Sequence, residues 1–464
     1  MAQKLKKRQE VELSIEKVAF GGQGIAYLDD FVVFVENTLP GDVVTARVRK
    51  ARKNYAEAYP VTMQTPSPLR QDAPCSHFGH CGGCKWQNLE YQQQLQFKQQ
   101  HVSESLKHIG QVEPERIHAT LPAPNIFGYR NKMEFSFSDN RWLTPEELQD
   151  PEIKKDFALG LHVPRFFDRI LDIEKCWLQS DLANKILSFS KAFFKNSAIP
   201  VYNLFSREGQ LRHLVIRQSF THNQLLVNVV SFSPLTDALR LYSEKLVAEI
   251  PQVSGVVNTV NNTPAQVASG SERHVLFGSP ILKEKLGDFE FEISPDSFFQ
   301  TNTLQAENLY EITKKYAEIN NDIVWDLYCG TGSISIFVAK NAKKVIGFEI
   351  VENAIKDAYR NAGLNNVTNC EFVAGDLRFQ LEKFAVEPPD VLICDPPRAG
   401  MHKDVLATIR NIAPKRIVYV SCNPATMARD LAQLIDLYEI TDVQPVDMFP
   451  HTYHIESVAK LVKR

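Results

Sequence analysis

Cys422 closes a β-branched run and stands directly before a helix-like segment, in "RIVYVSCNPATMARD" at residues 416–430. A cysteine after a strand is ordinarily a packed hydrophobe; its other use is as a nucleophile, and the neighbouring motifs decide between the two. A helix beginning near Ala425 would turn its positive end toward the sulfur, which is expected to lower the proton affinity of the thiol. Other reactive groups recur at similar strand ends. "DLYCGTGSIS" holds Asp326, Tyr328, Gly330 and Gly332; Glu349 follows 19 residues beyond Gly330; "VAGD" holds Asp376; and "CDPPRAG" holds Asp395. Glycines let the backbone turn tightly against a ligand, and a carboxylate at this spacing can accept hydrogen bonds from ribose hydroxyls. Gly332 is followed by Ser333 and Ile334, so the six-residue dinucleotide fingerprint is incomplete. That favours a single adenosine-bearing cofactor over a dinucleotide. Pro396 and Pro397 can continue neither a ladder nor a helix interior, so Asp395 sits on a rigid turn.

A second chemistry is written near the front. Cys75, Cys81 and Cys84 form a C-x5-C-x2-C group, Cys176 is the nearest further thiol, and Cys329, Cys370, Cys394 and Cys422 lie in the last third. In a chain without a secretory signal, a close cysteine group more often binds metal than forms disulfides. The spacing leaves zinc and an iron–sulfur cluster both open, since each takes four thiolates. Gly82 and Gly83 allow backbone amides to approach the sulfurs.

These groups need elements to position them. From about residue 296, apolar strands alternate with helical stretches, the pattern of a parallel sheet covered on both faces, with ligands outside the carboxyl ends of its strands. Residues 10–62 alternate short apolar strands with Gly, Asp-Asp and Pro-Gly turns, as in a small β-barrel. Residues 120–295 mix strands and helices. The 464 residues therefore divide into three expected domains, 1–62, 63–295 and 296–464. The net charge of -3 excludes a uniformly basic nucleic-acid binder, but residues 1–53 hold ten Lys/Arg, Lys4 among them, against seven acids. The tract Arg47, Arg49, Lys50, Arg52 and Lys53 is expected to hold phosphates. No apolar run approaches the roughly 20 residues of a membrane span, and the N-terminus lacks a signal peptide's apolar stretch. A soluble, cytoplasmic protein with no membrane partner is expected.

In their order, "CSHFGHCGGC", "SFFQTN", "DLYCGTG", "CDPPRAG", "VSCNPATMARD" and "MFPHTYHIESV" resemble the S-adenosylmethionine-dependent RNA uracil-5-methyltransferases, nearest their bacterial 23S ribosomal RNA branch. The resemblance implies a Rossmann-like class I methyltransferase domain, an N-terminal OB-like β-barrel of the TRAM type that binds RNA, and a mixed α+β central domain. It implies Cys422 as nucleophile and Glu456 as general base, with the cofactor S-adenosylmethionine held by Gln300, Tyr328, Ser333, Glu349, Asp376 and Asp395. A [4Fe-4S] cluster on Cys75, Cys81, Cys84 and Cys176 is implied as well, in a structural or RNA-orienting role. The partner implied is RNA, 23S ribosomal RNA ahead of transfer RNA, bound by a monomer. A uracil must leave its stack to react, and Phe298, Phe299 and Phe449 are candidates to hold it. His451 and His454 are read as structural or substrate contacts. Two rivals remain at this point: a methyltransferase acting on an amine, which would carry Asn-Pro-Pro-aromatic in place of "DPPR" and no nucleophilic thiol, and a noncatalytic iron–sulfur RNA-binding protein.

Overall fold

The computed structural model describes residues 5–464, so Lys4 of the basic front segment lies outside the described residues. The first sheet has six strands, in the spatial order Glu10–Ser14, Val43–Ala51, Tyr55–Thr65, Phe31–Val35, Gly24–Leu28, Lys17–Val18. Burial alternates along these strands, as in Phe31–Val35, and the inward positions Leu13, Val33, Val35, Val44, Ala46, Val48, Ala56 and Ala58 share one core. The sheet therefore curls around its own apolar face. Antiparallel register also decides the fate of the basic tract. Glu10 lies across from Arg47 and Glu57 across from Lys50, and ion pairs form at 2.6 Å (Arg47–Glu10), 2.5 Å (Arg49–Glu57) and 3.2 Å (Lys50–Glu57). The expectation of five phosphate-holding cations is corrected to two: among the described residues, Arg52 and Lys53 alone of the tract have no acid partner.

The central sheet has eight strands, running from Glu272–Gly278 through Val253–Val260, Gln224–Ser231, Leu211–Ser219, Lys132–Ser138, Ala158–His162 and Ile170–Asp172 to Arg141–Trp142. Helices Asp181–Lys195 and Thr236–Glu249 cover it, and Ile186, Leu187 and Tyr242 join its core. Ser180 starts the first of these helices by accepting from the Ala183 N–H, an ordinary N-cap.

The third sheet runs Cys370–Ala374, Lys344–Glu349, Ile323–Leu327, Val391–Cys394, Arg416–Ser421, Glu456–Lys463, Tyr438–Val446, Arg116–Ile117. Its first five strands are parallel, and all four residues of Val391–Cys394 are buried, as a sheet covered on both faces requires. Chain order reverses between Ile323–Leu327 and Val391–Cys394, which makes that gap the switch point where a ligand crevice opens. Some segments ahead of residue 296 pack into the core of this third sheet. Helix Tyr91–Ser105 and the turn after it place Val102, Leu106 and Val112 in the core of this third sheet, and the hairpin Leu282–Leu286/Phe289–Ile293 adds Leu286, Phe291 and Ile293. These short segments carry apolar faces and have no core of their own to bury them in. No helix among the described residues is long and apolar enough to cross a membrane.

Candidate active site

Sheet register brings the reactive groups together. Ser421 pairs with Ser457 across the antiparallel ladder, so the next step sets Cys422 beside Glu456, the first residue of its strand. At the turn the Asn423 N–H donates to Ser421 Oγ (3.1 Å) while the Ser421 hydroxyl donates to the Asn423 carbonyl (3.0 Å). Asn423 then caps helix Pro424–Leu431 by accepting from the Ala425 N–H at 3.1 Å, with Pro424 opening the helix. The same Asn423 donates its amide to the Arg398 carbonyl (3.1 Å), and Thr426 adds a second bond there (3.2 Å). The diproline loop carrying Asp395 and Arg398 is thereby pinned against the thiol turn.

Contrary to the expected lowering, the half-buried Cys422 thiol is pushed up to about 11. Burial contributes most, the Glu456 and Asp395 carboxylates add to it, and Arg398 opposes them. A helix of eight residues does not outweigh desolvation and two nearby carboxylates. Burial raises Asp395 to about 6 and holds Glu456 well above the carboxylate range, Asp395 adding to the latter and Arg398 opposing it. Arg398 stood in "CDPPRAG" without a role; its charge faces both members of the pair.

At the switch point, Leu327 pairs with Phe348 on one side and Cys394 on the other, so Tyr328, Glu349 and Asp395 emerge together. Tyr328 and Gly330 take left-handed φ of 65° and 55°, and a Cβ at Gly332 (φ 76°) would stand 2.9 Å from Phe372. Glu349 is fixed by the N–H groups of Gly330 (3.2 Å) and Val351 (2.9 Å). Beneath the turn, one oxygen of the buried Asp326 accepts from the Ser335 hydroxyl at 2.6 Å and the other has no partner among the described residues; burial raises this carboxyl to about 7. The open glycine turn, the anchored Glu349 and the orphaned oxygen suit an adenosine-bearing sulfonium compound, since its cationic centre and ribose hydroxyls need acceptors. Ser333 instead shares a hydrogen bond with the Tyr310 hydroxyl at 2.8 Å. Asp376 caps helix Leu377–Phe384 and pairs with Arg378 at 2.5 Å, which draws it down to about 2. Gln300 is buried ahead of helix Thr303–Ala317, its carbonyl accepting from Asn131 Nδ2 at 2.9 Å. Of the three phenylalanines, Phe299 is core at 6% exposure whereas Phe298 is 68% exposed; Phe449 packs half-buried against the core.

Cys75, Cys81, Cys84 and Cys176 line one cavity of about 880 Å³. Burial raises all four thiols, Cys81 and Cys84 to about 12, and the other sulfurs push both further up. The Gly83 N–H donates to Cys81 Sγ (3.3 Å) and Gln87 Nε2 to Cys84 Sγ (3.2 Å). Among the described residues no three His, Cys, Asp or Glu side chains are grouped as a single metal ion would need. The cysteine loop continues into the catalytic end: the Lys85 and Trp86 N–H groups both donate to the His451 carbonyl (2.9 and 3.0 Å). Gln94 accepts from the His451 N–H (2.8 Å), Lys98 pairs with Asp447 (2.5 Å) in full burial, and Tyr91 donates to Asp447 (2.9 Å). Loop 447–454, which leads to Glu456, thus hangs from residues 85–98. Sequence reasoning missed Lys98 and Asp447; an isolated lysine in a helix offers no local sign of burial. His451 stacks on Phe127 at 4.2 Å, and burial lowers both His451 and His454 to about 4.

A profile of the tRNA (Uracil-5-)-methyltransferase family matches residues 210–464, and one of the TRAM domain matches residues 4–61. A protein of Bacteroides thetaiotaomicron described as an uncharacterized RNA methyltransferase is 42% identical over 455 residues, covering 96% of this chain and all of that protein. One of Clostridium acetobutylicum, described likewise, is 36% identical over 99% of this chain and 98% of its own. Among solved structures, the tRNA (uracil-54, C5)-methyltransferase of Pyrococcus abyssi in complex with S-adenosyl-L-homocysteine has a TM-score of 0.75 at 30% identity, covering 97% of this chain and 100% of that one.

Proposed function

This chain belongs to the RNA uracil-5-methyltransferase family and is an S-adenosylmethionine-dependent RNA methyltransferase; from that premise we propose that it methylates carbon 5 of a uridine through a covalent bond from Cys422. The observation that carries this reading is the ladder register that sets Cys422 beside the buried Glu456, with Asp395 and Arg398 facing both.

S-adenosylmethionine supplies an electrophilic methyl group, and Gln300, Tyr328, Ser333, Glu349, Asp376 and Asp395 are the residues assigned to hold it. Carbon 5 of uracil is a poor nucleophile. Addition of the Cys422 thiolate at carbon 6 converts the ring to an enolate with electron density at carbon 5. Arg398 is the cation that favours the thiolate. Once carbon 5 is methylated, Glu456 removes its remaining proton and the thiolate leaves; a carboxylate whose proton affinity burial has raised suits that task. Phe298 is the exposed aromatic that can stack on the extruded base. We assign residues 1–62 to RNA capture, 63–295 to orienting the RNA and 296–464 to chemistry, in a cytoplasmic monomer. Cys75, Cys81, Cys84 and Cys176 are read as holding a [4Fe-4S] cluster, supported by four thiols lining one cavity, whose ionisation a bound cation would favour. Its role is structural or RNA-orienting, because methyl transfer is not a redox reaction.

The favoured target is a loop uridine of 23S ribosomal RNA. A second reading, transfer RNA, is favoured by the likeness to the Pyrococcus abyssi enzyme along the whole chain. Protein-free 23S RNA and unmodified transfer RNA are to be compared as methyl acceptors, with protein–RNA species resolved on a denaturing gel. Cys422→Ala is expected to form no adduct, and Glu456→Gln to trap a methylated one while turnover falls by about 10²–10⁴-fold. Adduct formation by Cys422→Ala would reject the nucleophile; efficient methylation of transfer RNA alone would move the target.

A further inference from the structure

The cavity beside the cysteines does not end there. Phe298 and Thr301, which flank Gln300 in the chain, line it too, and His162, Phe167 and Gln266 are shared with a second cavity of about 520 Å³ cut into the central sheet. The two cavities therefore adjoin at Phe167, and the second is a separate chamber of nucleotide-accommodating size.

Its walls have the composition that unpaired RNA demands, cations for phosphates and aromatic faces for bases. Of the cations lining the first cavity, Arg130 and Arg217 have no carboxylate partner among the described residues, whereas Lys132, Arg165 and Lys175 are paired with Glu134, Glu36 and Asp181; in the second, Lys155, Arg169 and Arg212 have none and Arg141 is paired with Glu147. In the second, the buried Arg212 spends its guanidinium on the carbonyls of Asn261 (2.6 Å), Thr263 (2.7 Å) and Ala265 (2.7 Å), has no carboxylate partner among the described residues, and leaves Nε unpaired. Its charge is therefore uncompensated, which favours an anion nearby. Arg212 stacks at 4.7 Å over Tyr202, itself stacked on Phe232 at 5.2 Å. Two aromatic rings stand unsatisfied at the mouth. Phe205 is 74% exposed, and Phe167 is 66% exposed at the tip of the hairpin joining Ala158–His162 to Ile170–Asp172. That tip is held in shape by the Val163 N–H bonded to the Arg169 carbonyl (2.9 Å), by a left-handed Arg165 (φ 72°) and by Arg169 lying 3.9 Å over Phe166. Phe167 on its braced hairpin between the two cavities, and Phe205 on the loop before Leu211–Ser219 beside the second, are solvent-facing rings arranged for stacking.

We propose that this second cavity is a nucleotide-binding site separate from the one that receives the reacting uracil: an unpaired nucleotide of the same RNA strand crosses Phe167 and lodges its base against Phe205, its phosphate toward Arg212. The proposal rests on the chain acting on RNA and is independent of which RNA and of the role of Cys422.

The test places 5-iodouridine singly at each position of an RNA that the wild-type enzyme methylates. Long-wavelength light then crosslinks the halogenated base to any ring stacked on it, and the crosslinked peptides are mapped by mass spectrometry. A position other than the methylated one is expected to crosslink to Phe167 or Phe205. Phe167→Ala and Phe205→Ala are each expected to weaken equilibrium RNA binding by about tenfold and to remove their crosslinks, with S-adenosylhomocysteine affinity unchanged. Both side chains are exposed, so neither substitution opens a core cavity. Crosslinks confined to other segments, unaltered binding by the double variant, or a crosslink from the methylated position itself to Phe205 would each overturn the proposal. Binding and crosslinking are repeated in Cys422→Ala: a crosslink to Phe205 that persists while adduct formation behaves contrary to the covalent reading strikes that reading and supports this one.

Discussion

Two regions of this molecule raise the proton affinity of thiols, and they do so by different means. At the sheet edge a single sulfur, Cys422, is lifted to about 11 by burial and by the Glu456 and Asp395 carboxylates, with Arg398 pulling the other way. In the cavity beside the central sheet, Cys81 and Cys84 reach about 12, and after burial the other sulfurs contribute. The first arrangement sets two carboxylates and a cation beside one thiol, which is what the proposed covalent cycle asks of a thiolate that must form and leave. The second brings four thiols to one cavity that Arg130, Lys132 and Lys175 also line, and a bound cation would favour their joint ionisation. Cys394 makes a useful third case: fully buried, with its Sγ on the Val418 carbonyl at 3.8 Å, it is packing alone.

The contrast is most easily broken at the cavity. Protein purified without oxygen is expected to be brown and to hold iron and sulfide in near-equal amounts, and Cys75→Ser, Cys81→Ser, Cys84→Ser or Cys176→Ser should each bleach it. Because the Lys85 and Trp86 amides carry the His451 carbonyl, Cys84→Ser should also speed amide hydrogen exchange across residues 447–454. Stoichiometric zinc in undamaged protein would overturn the cluster. Next in size is the buried ion pair that joins the two regions. Lys98→Met leaves Asp447 uncompensated and should cost about 3–5 kcal/mol of stability, read by denaturant unfolding. Lys98→Met combined with Asp447→Leu should cost much less, and equal losses would mean that the pair is not a unit.

The sheet-edge half is sharpened by pH. On the proposed mechanism Cys422 attacks as the thiolate, and its proton affinity is raised, so single-turnover methyl transfer should climb with pH from neutrality toward about 11, whereas Glu456 acts only after the transfer. Arg398→Gln removes the opposing cation and should displace that limb to higher pH; a limb that moves down would reassign Arg398. The smallest effect belongs to the barrel. Arg52→Gln and Lys53→Gln should each flatten the logarithmic salt dependence of RNA binding by about 0.7–0.9, whereas Arg47→Gln, already neutralised by Glu10 at 2.6 Å, should leave the slope nearly unchanged.

Legibility varied along the chain for local reasons. Alternation in the barrel strands and the strand–helix rhythm after residue 296 are period signals that sequence carries directly. The central sheet lacks them: all nine residues of Leu211–Ser219 are buried, which removes the two-residue period by which a half-buried strand is recognised. The site divided along the same line. Sequence alone determined that Cys422 and Asp395 follow strands and that Glu349 stands at a strand's end, that Gly330 and Gly332 lie in a turn, and which family the ordered motifs resemble, because turn chemistry and residue order are properties of the local chain. Tertiary structure decided the rest. It set Glu10 opposite Arg47 and emptied most of the basic tract of free charge. It buried Lys98 on Asp447, 349 positions away, and reversed the expected direction for the Cys422 thiol. A charge's effect depends on what surrounds it in space and on how much water is excluded, and neither quantity exists until strands from distant parts of the chain have paired.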